Sequence, residues 1–141
     1  MRIYADTSFL ASLYVLDGNS QAAAARMKRA PLPLLTTPFG ELELINAVAL
    51  RLFRKELTAS KVKAAQTMIR KDIEEGVLMV STLPGTAFER AKRIASKQTP
   101  VFGTRTLDVL HVASALILQA DTFYTFDARQ TKLAVAEGLR V

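Results

Sequence analysis

The sequence contains no cysteine. That excludes disulfide frameworks, cysteine-ligated zinc and thiol nucleophiles, makes redox chemistry an unpromising reading, and is compatible with a reducing cytoplasm. It contains only one histidine, His111. No apolar run reaches the length of about 18 residues expected of a membrane-spanning helix, and VLHVASALILQA falls short of it. The N-terminal stretch MRIYADTSFLASLYVL has an acid within its apolar part and no small-residue cleavage site, which argues against a signal peptide. A soluble, cytoplasmic protein without a membrane partner is expected. At 141 residues, half of them hydrophobic, a single domain over residues 1–141 can bury a core without crosslinks or a structural metal.

Acidic residues are outnumbered. Thirteen Asp and Glu stand against nineteen Lys and Arg, for a net charge of +6 and a pI near 9.9. Such a balance favours a polyanionic partner through phosphate contacts and counterion release. The bases fall at Arg26, Lys28 and Arg29, at Arg51, Arg54 and Lys55, between Lys61 and Lys71, and at Arg90, Lys92, Arg93 and Lys97. Each group taken alone also reads as a solvated helix face.

Short apolar stretches alternate with helical spacing. RIYA, LLTT, VLMVST and TFYTF read as strands, and the segments between them as helices. The segment from Gly40 to about Lys55 is a strong helix former whose Leu42, Ile45, Ala49 and Leu52 are spaced for a core face. TPVFGT reads as a loop before a helix from about Leu107 to Gln119. Strand and helix in alternation predict an α/β fold, a short parallel sheet sandwiched by helices.

Asp6 and Asp127 each stand at the end of a predicted strand, and Asp108 opens a helix. Ligand sites in open α/β sheets lie beyond the carboxyl ends of the strands, so these acids are candidates for one crevice. Each alone reads equally as a turn or cap residue. Together they crowd like charge, which a cation offsets. Glu41 and Glu43 compete to supply a fourth acid. Asn46 follows Glu43 by three residues, which makes the two neighbours on one helix surface. Oxygen ligands without Cys or a second His suit Mg²⁺ or Mn²⁺. An acidic metal site in a basic chain points to phosphodiester chemistry. His111, among Leu110, Val112, Ala113, Leu116 and Ile117, reads as a core residue with one satisfied nitrogen.

YADTSFL with Asp6, ELIN with Glu43 and Asn46, RTLDVLHVASAL with Asp108, and YTFDARQTKLAVAEGLRV with Asp127 together resemble the ordered motifs of PIN domains. The likeness is closest to the VapC-type ribonuclease toxins of toxin–antitoxin pairs and spans nearly the whole chain. It implies a three-layer α/β sandwich with a parallel sheet, and Mg²⁺- or Mn²⁺-dependent cleavage of single-stranded or structured RNA. It also implies a small antitoxin partner and a homodimer. It selects Glu43 over Glu41 and makes Asp6, Glu43, Asp108 and Asp127 the metal-holding and catalytic set. Thr7 or Ser8 would orient Asp6 or a water, Asn46 would support Glu43, and Arg105 would touch a phosphate or pair with an acid. On this reading a metal-activated water attacks phosphorus in line and leaves a 5′-phosphate, with His111 only packing beside Asp108.

Two other classes bear comparison. A receiver-like phosphoacceptor domain has adjacent acids after its first strand and a lysine after a late one, whereas here Thr7 follows Asp6 and Ala128 follows Asp127. A PIN-like RNA- or protein-binding module without catalysis is disfavoured by the presence of all four acids.

Overall fold

The computed structural model describes residues 1–141. Four three-residue strands, β1 (Ile3–Ala5), β2 (Leu34–Thr36), β3 (Leu78–Val80) and β4 (Thr122–Tyr124), form one sheet in the order β3-β2-β1-β4. All its pairings are parallel, with Tyr4 opposite Leu35 and Phe123, and Leu34 opposite Leu78. Seven helices connect and cover the strands: α1 (Thr7–Tyr14), α2 (Ser20–Met27), α3 (Pro38–Phe53), α4 (Ala59–Glu74), α5 (Thr86–Phe102), α6 (Thr106–Ile117) and α7 (Ala128–Ala136). None is long and apolar enough to cross a membrane.

Strand side chains alternate between faces, and this divides the core in two. Ile3, Ala5, Leu34 and Leu78 join Phe9 and Leu10 of α1, Leu44 and Val48 of α3, and Ile69 of α4. Tyr4, Leu35 and Phe123 join Ile94 of α5, Val109 and Val112 of α6, and Leu133 of α7 on the other side. Each of the larger apolar side chains contributes about 1.5–3 kcal/mol by burial. Helices on both faces of a parallel sheet make the expected three-layer sandwich. The chain runs outward from β1 through β2 to β3, then returns to place β4 on the other side of β1. The winding reverses between β1 and β4, and in open α/β sheets ligand sites lie beyond the carboxyl ends of the strands at such a point.

Two sequence expectations fail locally. On α3 the buried residues are Gly40, Leu44 and Val48, whereas Leu42 is 68% exposed and Ala49 is also exposed. This helix is apolar on nearly every side, so spacing cannot single out its core stripe. Its start fixes the rotation. The Thr37 hydroxyl accepts the Gly40 N–H at 3.1 Å, Pro38 occupies the first turn, and Gly40 presses against Thr36. The second failure is the loop expected at TPVFGT, because α5 continues through Pro100 to Phe102. Pro100 lies close to the helix end, where it forfeits one hydrogen bond. Gly103 then stops the helix at φ 62°, its N–H bonded to the Thr99 carbonyl at 2.8 Å.

Candidate active site

Asp6 follows β1 directly and caps α1. Its Oδ1 accepts the Phe9 N–H at 3.1 Å and the Ser8 hydroxyl at 2.7 Å, and its Oδ2 accepts the Thr125 hydroxyl at 2.6 Å. Thr125 Oγ1 in turn accepts the Asp127 N–H at 3.0 Å, and Ser8 Oγ accepts the Phe126 N–H at 3.0 Å. Two hydroxyls thus stitch the first acid to the segment that carries the last. Asp127 caps α7 by accepting the Gln130 N–H on Oδ1, and no protein donor reaches its Oδ2. Asp6 is only 4% exposed and forms no salt bridge. Burial pushes its carboxyl above the ordinary aspartate range, against the opposing pull of the Thr125 and Ser8 hydroxyls, the His111 charge and the Phe9 N–H.

Glu43 projects from α3 towards α1 and α6. Its Oε1 accepts the Thr7 hydroxyl at 3.0 Å and lies 2.5 Å from His111 Nε2, while Oε2 has no protein partner. His111 Nδ1 lies 2.8 Å from the Tyr4 hydroxyl. Burial pushes Glu43 up, but the hydrogen bond and charge of His111, the Thr7 hydroxyl and the Arg105 charge outweigh it and hold the carboxyl below its usual value. Asp108 is in the first turn of α6, where Oδ2 accepts the Arg105 N–H at 3.1 Å and Nε–H at 3.2 Å, leaving Oδ1 without a protein donor. Glu43, Arg105, Thr106, Leu107 and Asp108 line a cavity of about 350 Å³. The charge of Arg105 is felt by Glu43, and Arg105 in turn feels Asp127.

The hydroxyls divide their work: Ser8 holds Asp6, and Thr7 holds Glu43. Arg105 makes the ion pair with Asp108 and keeps its side chain 73% exposed. Asn46 is exposed and makes no side-chain hydrogen bond to Glu43. Glu41 turns the other way, towards Gln66, Ile69 and Arg70 of α4. His111 is 3% exposed, as a core residue should be, but it engages Glu43 and Tyr4 through both nitrogens rather than packing only. Sequence reasoning passed over Tyr4 and Thr125. A hydroxyl two residues before a strand-end acid was the one available signal for Thr125.

No three of the Asp, Glu and His side chains stand at metal-ligand spacing. The donor chemistry nevertheless fits a hard divalent cation. A buried carboxylate with no cationic side chain on it sits at the switch point, and Glu43 Oε2, Asp108 Oδ1 and Asp127 Oδ2 are all free of protein donors.

A 3-2-1-4 parallel sheet with acids gathered around its switch point defines the class: the chain belongs to the PIN-domain family, whose model matches residues 3–136. No curated protein matches the sequence. Among solved structures it is similar to VapC20 of Mycobacterium tuberculosis, described as a sarcin-ricin loop cleaving toxin, at 18% identity and a TM-score of 0.74. That alignment covers 99% of this chain and 98% of the other. At this identity the likeness speaks for the fold.

Proposed function

We propose that this chain is a Mg²⁺- or Mn²⁺-dependent endoribonuclease of the VapC type, the toxin of a toxin–antitoxin pair. The observation that carries the reading is Asp6: a buried carboxylate at the switch point, tied through Thr125 to Asp127, with no salt bridge. Asp6, Glu43, Asp108 and Asp127 would hold the cation directly or through water. When bound, the cation supplies an activated water and positive charge for the leaving 3′ oxygen, giving a 5′-phosphate product. The chain itself orients these carboxylates through Ser8, Thr125, Thr7 and His111. The exposed guanidinium of Arg105, beside Asp108, can reach a neighbouring phosphate, and the basic helices hold the rest of the polyanion.

The net charge of +6 and the fold shared with a toxin that cleaves the sarcin-ricin loop support structured RNA as the substrate. The same kinship supports a small antitoxin as partner. Exposed Leu42 and Phe53 on α3, 68% and 83% accessible, offer apolar surface for a second copy in the expected homodimer. One observation favours the non-catalytic alternative, an RNA- or protein-binding module: the acids are not drawn to metal-ligand spacing.

Purified protein incubated with structured and single-stranded RNA should cleave in Mg²⁺ or Mn²⁺, stop with chelator, and leave 5′-phosphate ends. Asp127→Asn should abolish this while melting like the parent, because Asn caps a helix as well as Asp does. Cleavage that survives both chelation and Asp127→Asn would remove the metal-nuclease reading. Metal binding without turnover of any RNA would favour the binding module.

A further inference from the structure

We propose that His111, oriented by Tyr4, is a positioning residue for Glu43: the pair holds Oε1 inside the protein and thereby presents Oε2 to the divalent cation. The inference rests on the metal-dependent reading above and assigns a task to a histidine whose sequence setting suggests only packing.

The imidazole is seated by three elements. On α6 it is 3% exposed. The β1 side chain Tyr4 meets it edge-on at 5.8 Å between ring centroids, and Phe39 of α3 lies 4.6 Å away. Gly40 lies against the ring, where a Cβ would make an ordinary contact 3.5 Å from His111 Cε1. Its two nitrogens then face two fixed partners, Tyr4 Oη at 2.8 Å and Glu43 Oε1 at 2.5 Å, from residues 107 and 68 positions away.

The geometry sets the order of the contacts. The Tyr4 hydroxyl lies 2.8 Å from Nδ1 and fixes that edge of the ring. A hydrogen on Nε2, present in the imidazolium and in the tautomer whose Nδ1 accepts from Tyr4, is then donated to Glu43 Oε1. The Thr7 hydroxyl donates to the same Oε1. Both protein donors therefore fall on one oxygen, and the three χ angles of Glu43 are constrained before any cation arrives. Groups that orient metal ligands in this manner typically change metal affinity by about 10- to 100-fold when removed.

The test is calorimetric titration of Mn²⁺ into the RNA-free full chain, with thermal melts and ¹⁵N spectra of the His111 ring. The spectra should find hydrogen on Nε2. Tyr4→Phe keeps the buried ring and removes only the hydroxyl. It should loosen the orientation of the imidazole and weaken Mn²⁺ binding by about tenfold. His111→Leu should weaken it at least as much, and His111→Gln, which retains an N–H for Oε1, should recover part of the loss. Unchanged affinity in folded Tyr4→Phe and His111→Leu, or no advantage of Gln over Leu, overturns the proposal. Should Tyr4→Phe fail to fold, the Gln and Leu pair decides. The control is Asp127→Asn. If it abolishes Mn²⁺ binding while the His111 variants bind normally, only this inference falls. If the parent binds no Mn²⁺, the metal-dependent reading and the inference fall together.

Discussion

Replacing Gly40 by alanine would put a methyl group where the fold has left no space. A Cβ on Gly40 would lie 2.4 Å from Thr36 Oγ1 and 3.2 Å from Thr37 Oγ1. Thr36 is fully buried and its hydroxyl has no hydrogen-bond partner, so the clash falls on a side chain fixed at the end of β2 rather than on a flexible tip. Overpacking of this kind costs about 1–3 kcal/mol. The better helix propensity of alanine returns at most about 1 kcal/mol. After the full propensity gain the net loss is about 0–2 kcal/mol. With an unfolding entropy of roughly 2.1 cal/mol/K per residue, a chain this long should melt up to about 7 °C lower. The decisive assay is a double-mutant cycle with Thr36→Ala, measured by urea and thermal unfolding. Removing the Thr36 hydroxyl and methyl removes the obstruction, so Gly40→Ala should become neutral or stabilising in that background. An equal loss in both backgrounds would refute the steric argument.

Other outcomes follow from the same contacts. In metal-free protein, Asp6→Asn should gain stability over the parent as pH rises. Burial raises the folded-state pKa of Asp6, so the parent loses stability between the ordinary aspartate value of about 3.8 and that raised value, and asparagine does not. Melts from pH 4 to 7 in chelator check this, and a constant difference would contradict it. Thr125→Val should cost about 1.5–3 kcal/mol, because a buried carboxylate loses a 2.6 Å donor, and should reduce RNA cleavage as well. Tyr14→Phe removes the 2.7 Å hydrogen bond from α1 to Asp72 on α4. It should cost about 1 kcal/mol in urea unfolding while leaving cleavage at low temperature unchanged.

What could be read from the sequence was local. Asp6 and Asp127 announce themselves by following short apolar strands, and strand–helix alternation implies the layered parallel sheet without further information. The choice between Glu41 and Glu43 was not local. The two lie about 200° apart around α3, and only the rotation set by Thr37, Pro38 and Gly40 decides which of them meets α6. The apolar residues of α3 gave the wrong stripe for the same reason. His111 was invisible as a hydrogen-bonding residue because its partners are 68 and 107 positions away, and no periodicity encodes contacts at that range. The extension of α5 through Pro100 depends on an end signal, Gly103, three residues beyond the proline.

The central strand of the sheet is joined on one side by the last strand to be made. Residues 3–5 of β1 pair with residues 122–124 of β4, the Arg2 N–H reaches Asp121 at 2.7 Å, and Asp6 is clasped by Thr125. Closing so long a loop is slow compared with forming the helices between. A nascent chain carries Asp6, Glu43 and Asp108 well before it carries Asp127, and until β4 docks, Asp6 lacks one of the two hydroxyls that hold it. In a PIN-domain chain wired in this order, the pairing that joins Asp6 to the Asp127 segment cannot form until translation has passed the final acid.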